Sequence, residues 1–148
     1  MVFQVYDRGM KKSYHSGLRT WIEVDTKALH ANHRAFRKLI PRSVKMMGVV
    51  KSNAYGHNFV EFARELEKLG IDMLAVDSMV EARSLRKAGV NIPILVLGYT
   101  LPEMFKEAMG KNIHLTISSF DGLRAFLETS YASKIHVHIK VDTGMLLQ

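Results

Sequence analysis

Apolar positions along this chain change their period at regular intervals. Between Thr26 and Ile40, residues Leu29, His33, Phe36, Leu39 and Ile40 recur at helical spacing; Asp25 or Thr26 can cap the start and Pro41 stops it. Thr20 to Val24, just before, reads as a short strand. Lys45 to Val50 is a second apolar run, followed by an amphipathic stretch from Phe59 to Leu69 with Phe62, Leu66 and Leu69 on one face and Gly70 at its end. The alternation then repeats. Strands are predicted over 73–76, 93–97, 114–117 and 135–141, with helices over 80–88, 102–109 and 120–128 between them.

Strand ends therefore fall near residues 51, 77, 98, 117 and 140, a spacing that fits a strand, a loop and a crossover helix. Nearly continuous apolar strands such as Ile94-Leu95-Val96-Leu97, with no hairpin turn signals, favour a parallel sheet covered by helices. Pattern alone leaves a doubly wound sheet and a barrel both open. Either architecture places chemistry at the carboxyl ends of its strands. The chain has 148 residues, well short of the ~250 typical of a complete (β/α)8 barrel.

Composition narrows the class. With 47% hydrophobic and 24% charged residues the chain has a globular composition, and no apolar run approaches the ~18–20 residues that span a bilayer. The absence of cysteine removes thiolate chemistry and disulfides, and no secretory signal is evident, so the expected compartment is the cytoplasm. The net charge of +7 is unevenly placed: residues 1–45 hold ten Lys/Arg against three acids, and the remainder balances. The excess belongs to an arm, residues 1–17, and the first helix; without a nucleic-acid motif beside it, it reads as a solvated face, and no membrane or nucleic-acid partner is expected.

The densest polar cluster is Lys51-Ser52-Asn53-Ala54-Tyr55-Gly56-His57-Asn58, directly after an apolar strand. A lysine at a strand's carboxyl end, partly desolvated, is easier to deprotonate and suits a Schiff-base nucleophile or a proton shuttle; the alternative is a snorkelling surface lysine. Tyr55 and the amides near Gly56 could meet a phosphate, or Tyr55 could simply pack, and His57 is more often a loop residue than a base. His136, His138 and Lys140 alternate and so share a strand face. A His-x-His metal site would need a further ligand that the sequence does not indicate, so no metal is expected.

Val49-Val50-Lys51-Ser52-Asn53-Ala54-Tyr55-Gly56-His57 resembles the pyridoxal-phosphate lysine motif of the alanine racemase family. Arg19 to Asp25, Ile94 to Gly98 and Lys140-Val141-Asp142-Thr143-Gly144-Met145 are similar to three further family segments, in the same order, so that the resemblance covers about residues 18–145. It implies a partial (β/α)8 TIM barrel of about five βα units over residues 18–148, with the family's C-terminal β-domain absent. It implies pyridoxal 5'-phosphate as cofactor and interconversion of L- and D-alanine, supplying D-alanine for peptidoglycan. Lys51 would be the Schiff-base lysine and the base on the D-alanine side, Tyr55 would hold the cofactor phosphate, and Leu97 would line its pocket. Lys140 matches a lysine that is carbamylated in many members, and the full-length family is expected to be homodimeric.

The chain departs from the family at three places. Ser52 and Asn58 replace a commoner alanine and glycine, and Leu147 stands where an arginine is usual. A neutral apolar side chain cannot replace that donor or pair with a carbamylated Lys140. The expectation is therefore the N-terminal part of a longer racemase, with weak or no racemisation by the isolated chain. The alternative is a non-catalytic pyridoxal-phosphate-binding module or an inactive fragment.

Overall fold

The computed structural model describes residues 2–6, 19 and 21–145; Leu147 and most of the arm lie outside the described residues. Strand β1 (Val2–Tyr6) pairs in parallel with β2 (Trp21–Asp25), in the register Val2↔Trp21 to Tyr6↔Asp25. The strand in the arm was not anticipated from the sequence. Helix α1 (Thr26–Leu39) follows β2 directly, and the Asp25 carboxylate accepts a hydrogen bond from the Ala28 amide at 3.1 Å as its N-cap.

The main body is a five-stranded, all-parallel sheet of β3 (Met47–Val49), β4 (Met73–Val76), β5 (Ile94–Val96), β6 (Ile113–Ile117) and β7 (Val137–Ile139), whose spatial order equals its chain order. Between these strands run a short helical turn α2 (Lys51–Tyr55), then α3 (Phe59–Lys68), α4 (Met79–Lys87), α5 (Phe105–Ala108) and α6 (Phe120–Leu127). A parallel sheet with strands in sequence order and a helical crossover between successive strands is the winding of a (β/α) barrel wall, here of about five units. Helix α5 is entered through a 3₁₀ turn at Pro102–Met104, because Pro102 suits the first helical position and the following segment is too short for a longer helix. The remaining strand and helix expectations hold within about three residues.

The core lies between the sheet and its helices. Leu74, Val76, Ile94, Val96, Ile113, Leu115 and Ile117 are buried against Ala63, Leu66, Met79, Ala82, Leu85, Phe105, Ala108 and Phe126. The Phe105 and Phe126 rings meet edge to face at 5.6 Å. Full burial of each large aliphatic or aromatic side chain contributes roughly 1.5–3 kcal/mol, so this layer carries most of the stability. The alternating positions Ala75, Leu95, His114, Thr116 and His138 take the opposite face of the sheet, the one a barrel turns inward.

Polar braces fix the helix-to-strand loops at the amino ends of the strands. The Arg86 guanidinium donates to the carbonyls of Val90, Ile92, Lys111 and Asn112 at 2.6–2.8 Å, and its pKa is lowered by burial. The Glu67 carboxylate accepts from the amides of Asn91 and Ile92 at 2.8 and 3.1 Å. Helix α1 is packed less tightly than its spacing predicts: none of its residues is buried, and Phe36 and Leu39 are 65% and 79% exposed. Its strand β2 pairs with β1 and not with β3, so the sheet gives the helix no continuous floor.

Candidate active site

At the carboxyl end of β3 the chain turns sharply onto Lys51. The backbone of Ser52, Asn53, Ala54 and Tyr55 is left-handed, with φ of 54°, 58°, 50° and 53°. Four consecutive non-glycine residues in that region cost roughly 1–2 kcal/mol each. Such a run persists only where its surroundings over-determine it, and these do. The Val50 amide donates to the Ala75 carbonyl at 2.8 Å, and the Val50 carbonyl accepts from the Ala54 amide at 2.9 Å. The Asn53 side chain accepts from the Phe59 amide at 3.0 Å, tying the turn to the start of α3.

Glu81 clamps the turn from the next βα unit. One carboxylate oxygen accepts from the Ser52 amide at 2.9 Å and the other from the Asp77 amide at 2.7 Å. A single side chain thus holds together the loop that follows β3 and the loop that follows β4. Glu81 sits in the first turn of α4, capped by Ser78, whose hydroxyl accepts from the Glu81 amide at 3.3 Å. In the usual capping box the glutamate returns to the cap residue's own amide; here it reaches one residue further back, to Asp77.

The result is a cavity of about 560 Å3 on the inner face of the sheet, lined by Lys51, Asp77, Leu95, Leu97, Gly98, Thr116, His138, Ile139 and Lys140. That size falls within the ~300–1,000 Å3 of small-molecule and cofactor sites. Lys51 Nζ stands 3.4 Å from Asp77 Oδ1, with the two side chains 36% and 55% exposed. An ion pair this open is worth about 0–1 kcal/mol, so the carboxylate steers the amine without locking it. Gly98 is required by proximity: a Cβ there would stand 2.5 Å from the Asp77 carbonyl oxygen. Thr116 is buried and donates to the Val96 carbonyl at 2.6 Å, fixing the cavity floor.

Of the residues singled out from the sequence, Lys51, Leu97 and Lys140 come together around this cavity. Tyr55 does not line it; it is 62% exposed on the turn four residues after Lys51. His57 is held locally, with Nδ1 2.8 Å from the Ala54 carbonyl. His136 and His138 share the inner face as expected and are joined there by His114 from the neighbouring strand. Asp77, Glu81, Gly98 and Thr116 were not singled out. The Ser78-x-x-Glu81 spacing was the one sequence signal for the Glu81 clamp, and it announces a helix start, not a partner 29 residues away.

Five parallel strands in chain order, joined by helices, with a lysine presented at the carboxyl end of the first, make up part of a (β/α) barrel wall. The alanine racemase N-terminal domain family matches residues 24–146, and the chain belongs to that family. It is 43% identical over 129 residues to alanine racemase 2 of Bacillus subtilis, and 42% identical over 127 residues to an alanine racemase of Geobacillus stearothermophilus. These alignments cover 84% and 85% of this chain but 33% of each relative. Among solved structures it resembles the alanine racemase of Bacillus anthracis with bound L-Ala-P, with a TM-score of 0.77 and 37% identity over 85% of this chain and 33% of that one. An alanine racemase of Clostridium difficile in complex with cycloserine gives a TM-score of 0.76 at 36% identity, covering 82% of this chain and 34% of that one. The chain thus spans about a third of the length of the relatives it matches.

Proposed function

We propose that this chain serves the pyridoxal-phosphate-dependent interconversion of L- and D-alanine, with Lys51 as the lysine that carries the cofactor. The observation behind this reading is the placement of Lys51 Nζ, on a braced left-handed turn at the wall of a cavity that Leu97 and Lys140 also line. The lining fits the group: two primary amines, of which Lys51 would take its aldehyde, an imidazole on the wall, and a cavity of suitable size. When bound, pyridoxal phosphate supplies the electron sink that lowers the barrier to removing an α-proton.

Every other part of the proposal concerns the chain's own side chains. Lys51 Nζ takes the α-proton on the D-alanine side and returns it there. Asp77 keeps the free amine within hydrogen-bond reach of the cavity wall. Leu95 and Leu97 exclude water from one side of the cavity, and Tyr55 meets the phosphate from the solvent side of the turn. Lys140 functions as a carbamate: its uncharged amine adds to carbon dioxide and loses a proton, turning a cation on the cavity wall into an anion. The proposal extends to a cytoplasmic homodimer, an arm over residues 1–17 and a barrel domain over 18–148. Among the described residues no helix is long and apolar enough to cross a membrane.

Adding pyridoxal phosphate to the purified protein tests the first step. A new visible absorbance band is expected, made permanent by borohydride, and Lys51→Ala should abolish it while leaving the far-ultraviolet dichroism unchanged. An equal band in Lys51→Ala would remove Lys51 from the role. A band without turnover of alanine would favour the cofactor-binding module over the racemase.

A further inference from the structure

Asp77, the residue after β4, is tied in from both sides. Its amide donates to Glu81 at 2.7 Å, and the same carboxylate accepts from the Ser52 amide, so the backbones that carry Asp77 and Lys51 share one brace. On the other side its carbonyl accepts from the Gly98 amide at 3.0 Å, an approach so close that a Cβ on Gly98 would meet that oxygen at 2.5 Å. The same Cβ would stand 3.6 Å from Asp77 Oδ2, so this oxygen lies beside Gly98 while Oδ1 lies 3.4 Å from Lys51 Nζ. Both residues line the cavity, and the Asp77 side chain is half exposed.

With Lys51 as the lysine that carries the cofactor, the reading on which this inference rests, an amino acid reacts only after its nitrogen has replaced Nζ at the cofactor's aldehyde carbon. That nitrogen must come within ~3–3.5 Å of the carbon, hence beside Nζ. It arrives as an ammonium, with three N–H donors and no lone pair to attack with. A group is needed there that attracts the cation and can accept a proton from it. Asp77 Oδ1 already reaches the space around Nζ. A lysine nitrogen bonded to the cofactor keeps at most one hydrogen where its ammonium had three, so the carboxylate, with about four lone-pair sites, regains room for another donor. Its exposed side gives the proton a way out to water.

We propose that Asp77 receives the α-ammonium of the incoming amino acid beside Lys51 and takes from it the proton that frees its lone pair. That proton passes from Asp77 to water, which restores the carboxylate. A carbon–nitrogen bond to the substrate then forms, a second proton passes from the substrate nitrogen to Nζ, which already holds one, and the bond from that carbon to Lys51 breaks. Lys51 departs as the uncharged amine, the form that can take an α-proton.

Amine exchange in the full chain tests the assignment without turnover. The chain is loaded with pyridoxal phosphate, mixed with alanine below saturation at neutral pH and quenched with borohydride at intervals, and peptide mapping follows the loss of cofactor from Lys51. Asp77→Asn and Asp77→Ala should each slow that loss by about tenfold, as the removal of one hydrogen bond to a charged group implies. Hydroxylamine is uncharged at that pH and brings its own lone pair, so it should displace the cofactor from both variants as fast as from the unsubstituted chain. If one variant does not fold, the other is read. Equal slowing with alanine and hydroxylamine would leave Asp77 a structural part only and overturn the proposal, as would exchange with alanine that neither substitution slows. A Lys51 that carries no cofactor before any amine is added would overturn the reading of Lys51 and this one with it; the other two results would overturn the role of Asp77 alone.

Discussion

Lys51 and Lys140 reach one cavity from opposite edges of the five-stranded sheet, on backbones held in different ways. Lys51 immediately precedes a left-handed run of four residues, braced by Val50, by Asn53 and by both oxygens of Glu81. Lys140, like Lys51, follows a three-residue strand, but from Lys140 to Met145 every residue is exposed. The first wall is strained and over-determined, so the backbone that carries Lys51 is fixed while its amine is only steered by Asp77. The second is tied to β6 by the Lys140 amide, which donates to the Ile117 carbonyl at 2.9 Å, and is exposed beyond that bond. Strain at a functional position is tolerated where several independent bonds share the task of holding it.

Substitutions on the braced wall should therefore cost stability, and those on the open wall should not. The largest effect is expected from Gly98→Ala, because the new Cβ would meet the backbone oxygen of Asp77, which cannot swing away. Overpacking of this kind costs about 1–3 kcal/mol, read as a midpoint lowered by several degrees in thermal unfolding. Glu81→Ala removes the acceptor of two backbone amides and should cost about 1–2 kcal/mol by denaturant titration. It should also lower the rate at which Lys51 takes up pyridoxal phosphate, since the turn is no longer tied to the loop after β4. Lys140→Ala should change stability by less than about 0.5 kcal/mol, as an exposed side chain with no brace to lose. Equal costs for Glu81→Ala and Lys140→Ala would erase the distinction between the two walls.

Much of the architecture was legible because burial and periodicity coincide. Leu74 and Val76 alternate against the helices, and Ala63 and Leu66 recur at helical spacing, so β4 and α3 could be read locally. The N-cap at Asp25 was legible for the same reason, being a local bond to Ala28. Lys51 and Lys140 were found through motif resemblance, and the strand-end rule placed both at the edge where the cavity lies. What the sequence hid is what depends on contacts across units. Ser52 to Tyr55 contains no glycine to signal positive φ, because the turn is imposed by distant partners. Glu81 acts 29 residues from Ser52, and His114 becomes significant only when β6 and β7 bring it to His138. Phe36 and Leu39 follow an amphipathic pattern but remain exposed, because periodicity states which face is apolar and not whether anything covers it.

The braced turn should make Lys51 chemically distinct from the other lysines. Brief exposure to limiting pyridoxal phosphate, borohydride reduction and peptide mapping by mass spectrometry tests it directly. Modification should concentrate on Lys51, with little on the exposed Lys38 or Lys106; labelling of Lys51 no greater than that of those surface lysines would show that the turn does not set it apart.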